Sequence, residues 1–268
     1  MFRSHLRWFT ILQCSPQGTL RTFCSQKTTS KPKKKSGNQV KLIGRVRNEV
    51  LSLPNGFDSF HVRTATHGLG KLIGVTHNIK TSAELIETPL PALANNDLVY
   101  VHGEIVYQNV ANGKKFISLP HIFATKVIRM KNNHNSADDL EQLVKESVNE
   151  VKLLGMIGSN IYDGNATAFH IVTNSEKTEQ LNKNFSNEWH RVLIFDDKLR
   201  EFVRNNLKIT DRLLINGEIF YNKVNLENGD LSLQGNILPN RIQKLQYFSR
   251  SDEIKPQNTE ETEATAQQ

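Results

Sequence analysis

Short apolar runs bounded by turn residues fill the middle of the chain and indicate β-strands. Within the two copies, residues 197–207 are the segment that places its apolar residues most clearly at helical spacing. Two Asn-Gly pairs, at residues 112–113 and 228–229, have the chemistry of hairpin turns. The pattern therefore predicts an all-β protein with few helices. The predicted strands cover residues 40–46, 98–106, 151–157, 169–172, 189–195 and 213–219.

The order of these segments occurs twice along the chain. Residues 40–44 resemble residues 151–155, and residues 97–107 resemble residues 211–221. A repeat of this kind indicates two copies of one structural unit in tandem. Five strands with a helix between the third and fourth is the plan of the OB-fold, a small, partly open barrel. We therefore expect two tandem OB-folds, each with one short helix, and a glycine at positions 44 and 155 suits a bulge or a sharp bend.

Composition divides the chain into five parts. A polar stretch and a short predicted helix over residues 138–148, capped by Ser136 or Asp138, form the linker between the copies. The last residues are rich in Glu, Thr and Gln, and we expect them to be disordered. The parts are a presequence with a basic arm (1–36), a divergent OB-fold (37–130), the linker (131–147), a second OB-fold (148–250) and an acidic tail (251–268).

The N-terminal segment has the composition of a mitochondrial targeting peptide. Residues 1–36 carry eight basic residues and no acidic one, and residues 2–12 mix apolar and basic side chains that on a helix can form an apolar face beside a basic one. Arg21 stands two residues before Phe23, as at mitochondrial processing sites, which predicts cleavage after Phe23. We therefore expect the protein in the mitochondrial matrix and nucleoid. A disordered basic arm that binds polyanions is the alternative.

The net charge of +7 is concentrated in that arm. Without residues 1–36 the chain has 26 basic and 27 acidic residues, so overall charge is a weak argument for nucleic-acid binding. Residues 37–130 have ten basic and six acidic residues. Arg45 and Lys71 belong to this excess and are candidates for phosphate contacts, with a solvated surface as the alternative.

Several classes of protein are disfavoured by the sequence. No apolar run reaches 18 residues, so we expect no membrane-spanning helix. Cys14 and Cys24 both lie near the N-terminus, which excludes a disulfide framework and a Cys-rich zinc site. The histidines lack metal-binding spacing, and no nucleotide loop or catalytic constellation is present. We therefore expect neither an enzyme nor a metal or other cofactor.

Five segments of the second copy carry a resemblance to a known family. They are residues 148–155, 168–174, 188–195 (Glu-Trp-His-Arg-Val-Leu-Ile-Phe), the predicted helix that ends in Leu207 and Lys208, and residues 214–219. In this order they resemble the bacterial and mitochondrial single-stranded-DNA-binding proteins. The resemblance covers about 100 residues and extends to the first copy only through the internal repeat.

The resemblance implies sequence-tolerant, non-catalytic binding of single-stranded DNA in replication and maintenance of the mitochondrial genome. Trp189 and Phe195 would stack on bases, Arg191 and Lys152 would contact phosphates, and His190 would lie near subunit contacts. Trp189 stands between Glu188 and His190, which favours an exposed position. Family members often assemble four OB-folds, so a homodimer is expected here, along with replication proteins as partners.

Some alternatives stay open at this stage. Tyr107 and Tyr221, equivalent in the two copies, would line the binding groove or form a structural cross-strand pair. The first copy is expected to lack the Trp-His pair, with residues 71–75 in that region. The same fold can bind organellar RNA, and a chain that has lost stacking aromatics could instead be an assembly or adaptor subunit.

Overall fold

The computed structural model describes residues 37–68, 71–112, 115–130, 139–174, 187–225 and 231–245. The expected presequence, the acidic tail and the Asn-Gly turn at 228–229 lie outside the described residues, as does Gly113 of the other turn. Among the described residues, no helix is long and apolar enough to cross a membrane.

Five of the six strands of the first copy close into a barrel. In pairing order, β1, β3, β4, β6 and β5 form a ring that returns to β1. All of these pairings are antiparallel except that of β4 with β6, which is the closure of an OB-fold. The strands are β1 Gly37–Val46, β2 Leu51–Ser52, β3 Asp58–Gly68, β4 Lys71–Thr81, β5 Leu98–Asn112 and β6 Lys115–Arg129.

The second copy closes in the same way. Its ring is β7, β9, β10, β12 and β11, and the β10–β12 pairing is again parallel. The predicted helix is confirmed as α2, Asp197–Asn206, between β10 and β11, with Asp196 as its N-cap. The strands are β7 Val148–Ile157, β8 Tyr162–Asp163, β9 Thr167–Asn174, β10 Asn187–Ile194, β11 Arg212–Asn225 and β12 Leu231–Leu245.

Two helix predictions need correction. The linker helix, α1, spans Leu140–Glu146 and is capped by Asp139, whose carboxylate accepts hydrogen bonds from two backbone N–H groups of the first turn. The first copy has no helix within residues 82–97, where one was expected. Pro89 and Pro91 stand in this segment and oppose helical backbone. Leu85 and its apolar neighbours pack on the barrel there without helical order.

The two barrels join through their first strands. β1 pairs with β7 in antiparallel register, with Val40 opposite Val151. The pairing continues the hydrogen-bonded sheet from one barrel into the other, and the buried apolar residues of both form one core cluster. The tandem copies are therefore held together by backbone hydrogen bonds as well as by the linker.

Gly44 of β1 and Gly155 of β7 allow the neighbouring strand to approach closely. They do not form the bulge that was one of the two structures suggested by the sequence. A Cβ on Gly44 would clash with the Arg63 carbonyl oxygen, and one on Gly155 would clash with that of Val172. The register shifts occur instead where Gly103 of β5 pairs with β6 and where Gly217 of β11 pairs with β12, and the extra residues, Thr125 and Asn240, lie on β6 and β12.

Candidate nucleic-acid interface

The first residues of strand β10 alternate between an exposed face and a buried face. Trp189 is 51% exposed, and His190 and Val192 are fully buried. Successive side chains of a strand point to opposite faces, so Trp189 and Arg191 share the outer face. Phe195, which follows directly after β10, is 45% exposed.

The Trp189 ring lies against the outer surface of the neighbouring strand. It is opposite Val172 of β9, and the His170 ring meets it edge-on with centroids 6.5 Å apart. A Cβ on Gly158 would lie 2.7 Å from Cζ3 of the indole, so the missing side chain makes room for the ring. The tryptophan is thus supported from below and open above, an arrangement suited to stacking on a flat ligand.

Arg191 is held beside the tryptophan by two amide side chains of β12. One of its Nη atoms donates to Gln234 Oε1 at 3.0 Å and to Asn236 Oδ1 at 3.3 Å. Both acceptors are neutral amide oxygens, so they orient the guanidinium without neutralising its positive charge. Burial, together with the nearby arginine charge, lowers the pKa of His170. His170 therefore favours its neutral form, while Arg191 supplies positive charge to this face.

Phe195 lies at an apolar cavity where the two barrels meet. The cavity has a volume of about 70 Å³. Ile73 of the first barrel forms part of its wall, and Thr66 of the same hairpin donates a 2.7 Å hydrogen bond to Glu218 of the second. Its other lining residues in the second barrel are Leu193, Ile219, Phe220, Asn222 and Leu238.

Two predicted phosphate contacts lie on other strands. Lys152 is exposed on β7, opposite Gln39 in the seam between the barrels. Lys71 is exposed at the start of β4, two residues before Ile73 of the cavity wall. Four residues were assigned to DNA contacts from the resemblance. Trp189 and Arg191 lie on β10 and Phe195 follows it directly, whereas Lys152 lies on β7.

The prediction that Arg45 faces a phosphate groove does not fit the structure. Its side chain is fully buried and ion-paired with Glu146 of α1 at 2.7 Å. A second nitrogen of the guanidinium, Nη1, donates to the Asn96 carbonyl at 3.0 Å. The helix covers this arginine, which sequence distance alone could not indicate.

The two tyrosines form contacts between the barrels. The Tyr107 hydroxyl lies 3.3 Å from Nδ1 of His190, and the Tyr221 hydroxyl lies 3.1 Å from Nδ1 of His77. Both tyrosines are therefore buried contacts and do not line an open groove, and the partner of each is a histidine of the other barrel, which differs from the cross-strand pair that was the alternative. His190, expected at subunit contacts, is buried between the two copies of one chain. The first copy therefore keeps the histidine of the Trp-His pair, as His77, and has Thr76 in place of the tryptophan.

Burial sets the ionisation of this interface. It lowers the pKa of His77 and of His190 to about 3. It also raises the pKa of Tyr107 and Tyr221 well above the usual range for tyrosine. All four groups are consequently neutral at physiological pH. No group of three or more His, Cys, Asp or Glu residues in the described part of the chain could hold a metal ion.

Sequence reasoning missed several residues of this interface. Gly158, His170, Gln234 and Asn236 were not singled out, because their roles depend on strands that pair far apart in sequence. His77 could have been found, since the spacing of 113 residues from His190 lies within the offsets of the repeat.

Fold and site together define a tandem OB-fold protein that, in the part of the chain the structure describes, has an exposed tryptophan on the second barrel. A solved structure of a single-stranded DNA-binding protein from Thermus aquaticus has this fold, with a TM-score of 0.54 over 80% of this chain and 95% of that one at 16% identity. No protein-family model matches the chain.

Curated relatives define the family more closely. The chain is 30% identical over 117 residues to the mitochondrial single-stranded DNA-binding protein 1-B of Xenopus laevis, a match covering 38% of this chain and 79% of that one. It is 27% identical over 106 residues to the mitochondrial single-stranded DNA-binding protein of Drosophila melanogaster, covering 37% of this chain and 72% of that one. The chain belongs to the family of mitochondrial single-stranded DNA-binding proteins.

Proposed function

We propose that the protein binds single-stranded DNA in mitochondria without catalysis and supports replication and maintenance of mitochondrial DNA. The names of both relatives place them in mitochondria as single-stranded DNA-binding proteins. The observation that carries the proposal is the exposed Trp189 ring beside Arg191. The Trp189 ring supplies a surface on which bases can stack, and Arg191 supplies positive charge to the same face.

The tandem copies have unequal roles in this proposal. The second barrel has the aromatic residues Trp189 and Phe195, and the first has Thr76 and Ser82 at the equivalent positions. Base stacking therefore belongs to residues 148–250. Residues 37–130 contribute the hairpin with Lys71 and Ile73, and residues 1–36 serve as presequence and basic arm.

The experiment that tests the function is a fluorescence titration of the full chain with Trp8→Phe, which leaves Trp189 as the only tryptophan. Addition of oligo-dT should quench the emission, and the affinity should fall steeply with salt. Unchanged emission together with no binding in a gel-shift assay at low salt would refute the proposal. Equal or tighter binding of a matched oligo-U would identify RNA as the ligand.

We also propose that two chains associate through the outer face of the shared sheet. Ile43, Tyr100 and Ile128 lie side by side across β1, β5 and β6. Leu154 and Leu214 form a matching pair on β7 and β11. Ile128 is 43% exposed although it is a large aliphatic residue. An outward apolar row on each barrel suits a self-complementary interface.

A further inference from the structure

The register of the strands gives the first barrel an exact counterpart of the tryptophan face. In the second barrel, Met156 is opposite Val172, which is opposite Trp189. In the first barrel, Arg45 is opposite Arg63, which is opposite Thr76. The two rows occupy the same place on the two barrels, so their surroundings can be compared directly.

Their exposure differs at one end of the row. Met156 is 43% exposed, and Arg45 is fully buried. The cause is α1, whose Glu146 carboxylate accepts from Nε of Arg45 at 3.2 Å and from Nη2 at 2.7 Å. The helix thus covers on the first barrel the surface that is open beside Trp189 on the second.

Further contacts fasten α1 at this place. Leu143 is fully buried, and the Ala65 backbone N–H donates to Ser147 Oγ at 3.0 Å. A Cβ on Gly74 would lie 3.0 Å from Cδ2 of Leu140, so this glycine allows the helix to lie close to β4. Apolar packing, an ion pair and a backbone hydrogen bond therefore act together.

The contact of Arg45 with the Glu146 carboxylate is of the same kind as the contact of an arginine with a phosphate group. Guanidinium groups bind both anions through the same planar set of N–H donors. Removing one partner of a buried ion pair strongly destabilises a protein, because the other charge stays buried and unpaired. The Arg45–Glu146 pair therefore favours a folded state in which α1 is docked.

We propose that α1 is an intramolecular occupant of the first barrel's counterpart of the Trp189 face, with Glu146 in the place of a nucleic-acid phosphate. Each chain then offers a single-stranded ligand one such face. This inference rests on the proposed function. It predicts that α1 stays in place when DNA binds and that the strand does not continue across Arg45.

Hydrogen exchange of the full chain with and without oligo-dT tests the inference without any substitution. Amides of residues 139–147 should keep the same protection at saturating DNA. Loss of that protection on DNA binding would show that the strand displaces the helix, and it would overturn the proposal. If the wild-type chain binds no DNA at low salt, the proposed function fails instead.

A matched pair of variants tests the same point from the other side. Glu146→Lys repels Arg45 and should release α1, whereas Glu141→Lys makes the same charge change at an exposed position of the same helix. Glu146→Lys should cover more nucleotides per chain than Glu141→Lys. The slope of log affinity against log salt should also steepen by about 0.7 for each phosphate gained.

A third variant makes the test specific to Arg45. Glu146→Lys combined with Arg45→Gln should return to the salt slope of Glu141→Lys, since the released arginine is gone. If Glu146→Lys frees α1 in hydrogen exchange and still binds like Glu141→Lys, the covered surface is not a nucleic-acid face. Leu143→Ala serves as the releasing variant should Glu146→Lys fail to fold, and the same two readouts apply.

Discussion

The Tyr107 hydroxyl of the first barrel lies 3.3 Å from Nδ1 of the buried His190 of the second, and their ring centroids are 5.4 Å apart. Nε2 of the same imidazole lies 2.8 Å from Thr173 Oγ1. Tyr221, His77 and Thr64 repeat the arrangement with the barrels exchanged. Two equivalent polar networks thus connect the barrels beside the β1–β7 seam.

Loss of either hydroxyl should weaken this connection. Tyr107→Phe removes this partner from a ring nitrogen of the fully buried His190 and should lower the free energy of unfolding by about 1–3 kcal/mol. A double-mutant cycle with His190→Asn should show a coupling energy of similar size in urea denaturation. Tyr221→Phe is the matched test at the equivalent site, and independent effects of Tyr107→Phe and His190→Asn would contradict the contact.

The same histidines should make the protein sensitive to acid. Burial lowers the pKa of His77 and His190 to about 3 in the folded state, whereas unfolded histidine titrates near pH 6.5. The unfolded state therefore binds more protons between these values, and stability falls as the pH falls below about 6.5. Each histidine should contribute a slope of about 1.4 kcal/mol per pH unit in that window.

Urea denaturation at pH 7.5, 6.0 and 5.0 and fixed protein concentration measures this slope. His190→Asn should lessen it, even though the variant is less stable at pH 7.5. His67→Asn changes an exposed histidine and is the control. A slope unchanged by His190→Asn would exclude this residue as a source of the acid sensitivity.

The sequence predicted the strands well because they alternate or pack apolar residues at strand spacing. It predicted an exposed Trp189 for a reason that the structure does not support. The polarity of Glu188 and His190 suggested a solvent-exposed face. Both residues are in fact buried, and both form hydrogen bonds with Tyr107 of the other barrel. The burial of Arg45 beneath α1 could not be predicted, since the Arg45–Glu146 contact spans 101 residues.

Gly158→Ala should disturb the tryptophan face without touching a DNA contact. The new methyl group would lie 2.5 Å from Val172 Cγ2 and 2.7 Å from the Trp189 ring, so one of them must move. We expect a shift in the Trp189 emission maximum and a severalfold loss of affinity for oligo-dT. Gly37→Ala, whose Cβ would make an ordinary 3.5 Å contact, is the control. Wild-type emission and affinity in Gly158→Ala would contradict the packing described.

Arg191 should act on phosphates and not on base identity. Arg191→Ala should weaken binding of different sequences equally and reduce the salt slope by about 0.7, the value for one phosphate contact on a single strand. Gln234→Ala should have a smaller effect, because Asn236 still orients the guanidinium. Lys198→Ala removes an exposed charge from α2 and should change the slope less than Arg191→Ala does; equal effects would argue against a specific role for Arg191.

The proposed assembly of two chains makes a prediction about mass. Light scattering of the wild-type protein should give about twice the 30.5 kDa of one chain, less any cleaved presequence. Ile128→Glu places a charge in the apolar row of the shared sheet and should yield monomers, because burying an unpaired carboxylate opposes association. Ile209→Glu makes the same change at an equally exposed isoleucine in the loop after α2 and should leave the mass unchanged. A wild-type mass of one or four chains would contradict the proposed dimer. A dimer that persists in Ile128→Glu would show that the interface lies elsewhere on the surface.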